Sequence, residues 1–125
     1  MKKLGVLGVV LALLTMLMGC GAKTYTLQFD NINLMTVVNK SDNKEVNLTK
    51  EQIKTATEEM GKITFVEEAE DQGAEYLYKL TMSNGEQSAV DIYIYDNTHM
   101  KMGDKFYTAT ENEFNLMFYK TLFVK

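Results

Sequence analysis

Arginine, proline and tryptophan are absent from this sequence, and cysteine and histidine occur once each, as Cys20 and His99. Each absence removes something. Without arginine the chain lacks the planar bidentate fork favoured for phosphate recognition. Its 13 basic residues are all lysines, set against 17 carboxylates for a net charge of −4. An acidic chain with no basic stripe lacks the electrostatic footprint of a nucleic-acid binder. A lone cysteine forms no internal disulfide, so packing must hold the fold. A lone histidine leaves a zinc site short of ligands unless carboxylates converge on it. Without proline, the turns fall to glycine, asparagine and aspartate.

What is present begins with an address. Met1-Lys2-Lys3 is a short cationic start, and Leu4 to Met18 is apolar apart from Thr15. That is the charged and then apolar layout of a secretory signal. The run of 15 residues is shorter than the roughly 20 that a membrane-spanning helix needs. Leu17-Met18-Gly19-Cys20 then resembles the lipobox of bacterial lipoproteins, in which the cysteine thiol receives a diacylglycerol and the signal is cut just before it. The resemblance implies a signal peptide over 1–19, a lipidated Cys20 with a short tether over 20–23, and a single domain over 24–125. Two acyl chains give a stable anchor where one is marginal. Cleavage would leave 106 residues, with 11 lysines against 17 carboxylates once Lys2 and Lys3 are gone, enough for one small domain with a core. Only Gly21, Ala22 and Lys23 separate the anchor from the first expected strand, about 10 Å of reach at about 3.5 Å per residue. The domain would therefore lie close to the membrane.

The periodicity predicts an α+β fold. Tyr25, Leu27 and Phe29 alternate with polar residues as in a half-buried strand, "LMTVVNK" reads as a second strand, and Glu45 to Leu48 as a short third. Thr49 and Gln52 form a capping box opening a helix over about 50–60, with Ile53, Ala56 and Met60 on one face and Gly61 suited to a left-handed C′ position. "KITFVEE" is another strand. Between Glu75 and Asp96 lies a hairpin whose two apolar sets, Tyr76, Tyr78, Leu80 and Val90, Ile92, Ile94, share a face only for an even register sum. A three-residue loop, Ser83-Asn84-Gly85, gives 168, with Tyr76 opposite Ile92 and Tyr78 opposite Val90. The other face carries Leu77, Lys79, Tyr93 and Tyr95, which a helix or a partner should partly cover. "HMKMGDKFYTA" predicts a tight hairpin about Gly103-Asp104. A second capping box, Thr110 to Glu113, opens a last helix with Phe114, Met117, Phe118, Thr121 and Leu122 as its apolar stripe, widened by Leu116, Tyr119 and Phe123. Hairpins with two helices favour a mostly antiparallel sheet with the C-terminal helix packed on it. A paired or swapped edge strand would make an oligomer.

Candidate sites are sparse. Glu67, Glu68, Glu70, Asp71 and Glu75 crowd together, but their spacing does not match a calcium loop, and the first four read as a solvated acidic loop or a contact patch for a basic partner. His99 beside Asp96 resembles a general base and its orienting carboxylate, with Ser83 or Ser88 as nucleophile, yet no GxSxG elbow is present. Tyr93, Tyr95, Tyr107 and Tyr119 fit stacking on sugars or peptides and fit ordinary strand propensity better. These residues predict no catalytic group, no metal site and no cofactor.

From "VDIYIYDNTHMKMGDKFYTATENEFNLMF", an aromatic strand, a short hairpin and a capped helix, the chain resembles the small uncharacterised lipoproteins of Gram-positive bacteria, catalogued as domains of unknown function. The resemblance implies an α+β fold and an exported setting, and it carries no catalytic residues. The expectation is a lipoprotein held by Cys20 on the outer face of the bacterial cytoplasmic membrane, a non-catalytic protein-interaction domain of accessory, inhibitory or immunity type. Glu67, Glu68, Glu70, Asp71, Tyr93 and Tyr95 are its candidate contacts with a surface protein. The alternative is a small-ligand or metal-binding lipoprotein.

Overall fold

The computed structural model describes residues 13–17 through their backbone, and residues 24–29, 31–68, 75–84 and 89–124 in full. It is one antiparallel sheet with two helices. The strands are β1 (Leu13–Leu17), β2 (Thr24–Gln28), β3 (Leu34–Asn39), β4 (Lys44–Asn47), β5 (Thr64–Glu68), β6 (Tyr78–Ser83), β7 (Val90–Ile94), β8 (His99–Met102) and β9 (Lys105–Glu111). Helix α1 covers Lys50–Met60 and α2 covers Leu116–Thr121. The order across the sheet is β1-β2-β5-β9-β8-β7-β6-β3-β4. The run β6-β7-β8-β9 is a meander, because each turn there is short enough to return the chain beside itself. Cys20, the tether, Glu70, Asp71, Gly85 and Ser88 lie outside the described residues.

Helix α1 starts as its residues dictate. The Thr49 hydroxyl accepts from the Gln52 amide at 3.2 Å, and the Gln52 side chain accepts from the Thr49 N–H at 2.9 Å. Two orphan donors are thereby satisfied. Ile53, Ala56 and Met60 are buried, one apolar stripe at helical spacing. The C-terminus differs from expectation. Gly61 has φ −68° and stays right-handed, because Lys62 and Ile63 continue in tight turns, donating to the carbonyls of Glu59 and Met60 at 3.2 Å each. Glycine serves there through closeness: an added Cβ would stand 3.2 Å from the Thr57 carbonyl oxygen.

The β6–β7 hairpin keeps the expected faces and not the expected register. Tyr78 lies opposite Ile94, Leu80 opposite Ile92 and Met82 opposite Val90. The partners sum to 172, not 168, so the connection is longer than three residues while the parity is unchanged. Tyr76 precedes the strand and leaves the apolar set; its ring meets Tyr93 of the opposite face, 5.0 Å between centroids. The β8–β9 turn agrees with expectation: Met102 pairs with Lys105 around Gly103-Asp104. Gly103 has φ +64° and Asp104 is not positive, the pattern of a type II′ turn. Elsewhere asparagines supply the left-handed turn positions, with φ 58° at Asn31, 58° at Asn43 and 63° at Asn112.

The last helix begins later than Thr110. Residue 110 belongs to β9, where its hydroxyl donates to the Thr64 carbonyl at 3.3 Å, and an irregularity between Thr64 and Phe65 lengthens the β5–β9 pairing. Strand pairing therefore takes the residues that a capping box would have used. Asn115 caps instead, accepting from the Phe118 N–H at 3.2 Å, while Glu113 accepts from the Asn97 side chain. The later start rotates the stripe. Tyr119 is buried at 2% exposure, with Leu116 and Phe123 partly buried around the core, and Met117 is 63% exposed.

One core gathers the inward-facing residues. Met35, Val37, Phe65, Leu80, Ile92, Ile94, Met100 and Tyr107 of the sheet join Ile53, Ala56 and Met60 of α1, together with Ile63, Phe114 and Tyr119. Aromatic contacts tie its parts together. Phe65 meets Phe114 at 5.8 Å and Tyr107 at 6.3 Å, and Tyr78 meets Tyr119 at 5.6 Å.

Candidate contact surface

Strand alternation puts a second set of side chains on the opposite face. Lys79 pairs with Tyr93, Tyr93 with Lys101, and Lys101 with Phe106, so four side chains run across β6, β7, β8 and β9 in one row. The Lys79 and Lys101 amines stand 5.7 and 5.6 Å from the Tyr93 ring centre. Lys101 is also 5.6 Å from the ring of Phe106, and Lys40 is 5.9 Å from that of Tyr76. Cations over aromatic faces are attracted by the ring quadrupole, and their methylene stems cover apolar surface while the amines stay wet. Tyr95 joins the row's edge, its ring 6.4 Å from Phe106. The row is half-buried and not sealed.

The cover expected from a helix or a partner comes in part from the face's own lysines. Lys79 stands 3.9 Å from the Asp91 carboxylate, which also accepts from the Thr81 hydroxyl at 2.8 Å. Beside the row, opposite His99, the Thr108 hydroxyl is buried without a hydrogen-bond partner. Lys101 and Phe106 did not enter the sequence-based site. The Gly103-Asp104 turn was the signal for them, since a two-residue loop there sets residue 101 against residue 106.

The tyrosines expected to act together are separated. Tyr93 and Tyr95 lie on or beside the outer row, whereas Tyr107 and Tyr119 belong to the core. Burial, the nearby Glu67 charge and Tyr25 push the Tyr107 hydroxyl up to about 12. Burial, then the Glu59 charge, raises Tyr119, and burial raises Tyr78.

The acidic candidates are also divided. Glu67 lies opposite Tyr107, on the inward side, and Glu68 lies opposite Phe106, on the outward side. Glu67 pairs with Lys105 at 3.4 Å. Among the described residues no group of three or more His, Cys, Asp or Glu side chains converges on a metal position.

His99 and Asp96 do meet. The ring Nδ1 is 2.9 Å from the carboxylate, which also accepts from the N–H groups of Thr98 and His99 at 2.8 and 2.9 Å. Burial alone would raise the Asp96 carboxyl, but hydrogen bonds from Thr98 and His99 outweigh it and leave the group below its ordinary value. This is an Asx-type turn that shapes the β7–β8 connection. Ser83 is a buried strand residue at the far end of β6, away from this pair, and Ser88 lies outside the described residues.

An open cleft of about 380 Å³ lies beside the row, lined by Asn39, Lys40, Ser41, Glu75, Tyr76, Leu77, Tyr78 and Lys120. Compared with known proteins, the chain matches no family model, no curated protein and no solved structure. Among the described residues no helix is long and apolar enough to cross a membrane.

Proposed function

We propose that the chain is an exported lipoprotein, held by Cys20 on the outer face of the bacterial cytoplasmic membrane, that works by binding a surface protein and not by catalysis. The observation that carries this reading is the outer row of Lys79, Tyr93, Lys101 and Phe106. It places aromatic surface where water reaches it, under lysines that can swing aside. Aromatic residues at contact surfaces supply most of the binding energy of many interfaces. In this reading α2 closes the inward side of the sheet through Tyr119, leaving the outward side as the contact face. The acidic residues Glu67, Glu68, Glu70 and Asp71 extend the candidate surface at its rim, with Glu68 the member whose register position borders Phe106.

Photo-crosslinking on intact producer cells tests it. A crosslinker at Tyr93 is expected to capture one dominant surface protein, and one at Lys54, on the exposed side of α1, to capture none. Equal capture from both positions would sink the assignment of the face. Neutralising the four carboxylates together should weaken the association; unchanged capture would remove them from the surface.

A small-ligand reading is favoured by the cleft between Lys40 and Lys120, whose two cations, two tyrosines and Glu75 carboxylate suit a small polar ligand. A ligand that binds only the native state raises the melting temperature by mass action. No shift with wall fragments, sugars or phosphate would dismiss it.

A further inference from the structure

The two edges of the sheet are built differently. The β4 edge is four residues long, Lys44-Glu45-Val46-Asn47, and two of the four are charged. Short length and charge are the usual protection against another strand adding on. At the other end β1 is outermost and covers β2. Strand β2 reads Thr-Tyr-Thr-Leu-Gln, with no charge, no glycine and no proline. Nothing in its own residues blocks pairing. In the chain as it stands, β1 does so by occupying every position, from Leu13 opposite Gln28 to Leu17 opposite Thr24.

Strand β1 lies inside the segment that the proposed lipoprotein processing removes, and the inference rests on that reading. Cleavage before Cys20 takes residues 13–17 away and leaves β2 outermost, paired only with β5 through Tyr25 and Thr26. Leu27, 2% exposed with β1 in place, then stands on an open edge.

We propose that in the mature protein this edge pairs with β2 of a second copy, antiparallel about Thr26, so that one sheet runs through a two-fold dimer. The strand is self-complementary in the register that β1 uses. Strand β1 sets Leu14 against Leu27, Thr15 against Thr26 and Met16 against Tyr25. A second β2 sets Tyr25, Thr26 and Leu27 in those same three places, again apolar, threonine, apolar. A β2 pair centred on Thr26 keeps the tyrosine and leucine on the inward side and threonine against threonine on the outward side. Such isologous contacts close on themselves and do not propagate. The anchors allow it: the two Thr24 residues stand about 14 Å apart across a five-residue pairing, and each tether has about 10 Å of reach. Both chains then anchor in one bilayer.

The test uses the acylated protein extracted from membranes, in which lipidated Cys20 offers no thiol. Thr26→Cys supplies one thiol on the two-fold axis, where opposed Cα atoms lie about 4.5–5.5 Å apart, within disulfide reach. Thr24→Cys and Gln28→Cys each lie off the axis. Mild oxidation is expected to give a dimer band from Thr26→Cys, none from either other variant alone, and one from the two others mixed. Thr26→Lys sets like charges opposite each other and is expected to shift the sedimentation mass from dimer to monomer. Cys20→Ala, which blocks acylation and leader removal, keeps β1 in place, so Thr26→Cys in that background should give no dimer. Intact mass of the mature chain separates the two ways of failing. Retained residues 1–19 on an unmodified Cys20 would overturn the lipoprotein reading and this inference with it. A correctly processed chain that stays monomeric, or crosslinks equally from all three positions, would overturn the dimer alone.

Discussion

The two faces of the sheet come from the same strands and are stabilised by different means. On the inward face Phe65, Leu80, Ile92 and Ile94 are all at 0% exposure, interdigitated with α1 and with Phe114 and Tyr119. On the outward face Tyr93 and Phe106 are touched by lysine amines, contacts that solvent can replace. Removing apolar area from water stabilises by about 25 cal/mol per Å², while a cation over an exposed ring contributes about 0.5–1 kcal/mol. The inward face therefore fixes the fold, and the outward face can exchange its contacts without unfolding the chain. A surface free to exchange contacts is one that evolution can tune for a partner.

The sharpest way to break that asymmetry is to damage the inward face. Phe65→Ala removes a ring that touches both Phe114 and Tyr107, and is expected to cost about 3–5 kcal/mol, read as the shift of the urea midpoint. A cost near 1 kcal/mol would mean that the inward face is not a closed core.

Alkali should act on the same face. Tyr107 is raised from 10 to about 12, and Tyr78 and Tyr119 are raised as well, so the unfolded chain releases these protons first. The stability they contribute is full below pH 10 and is lost as pH rises from there through about 12. The melting temperature should fall across that window, and Tyr107→Phe, which keeps the ring contacts, should flatten part of the fall. An identical slope in the variant would show that Tyr107 does not take part.

Which parts of this were legible in the sequence follows from how local each signal is. The capping box at Thr49 and Gln52 and the turn at Gly103-Asp104 need only a few adjacent residues, and both stand as expected. The hairpin faces were legible because alternation has period two; the register was not, since it depends on how far pairing extends into the connection. Thr110 to Glu113 carries as good a local signal as Thr49 to Gln52, yet the pairing of β9 with β5, nearly fifty residues away in sequence, overrides it. The site shows the same split. Tyr93 and Lys79 shared one face of a predicted hairpin, whereas separating Tyr107 and Tyr119 from Tyr93 and Tyr95 required knowing which face the whole meander buries.

A smaller effect should come from the support behind the inward face. Thr49→Ala leaves the N-terminal amides of α1 without their side-chain acceptor and should cost about 1 kcal/mol. Thermal melting measures it, and Gln52→Ala should give a partial version of the same loss.

The smallest effect should come from the outward face, and its smallness is the point. Lys101 touches both Tyr93 and Phe106, so Lys101→Gln removes two cation–ring contacts at once and keeps most of the covering stem. If the outward row were structural, stability would fall as it does for a core residue. The expectation is a loss of no more than about 1 kcal/mol, with high salt reducing it little, because ring contacts are short-ranged while surface ion pairs are screened beyond about a Debye length of 10 Å at 0.1 M. The same variant should weaken capture of the partner by a crosslinker at Tyr93. A stable fold with lost capture separates a contact surface from a structural one, and a destabilised fold with capture intact would reverse the comparison between the faces.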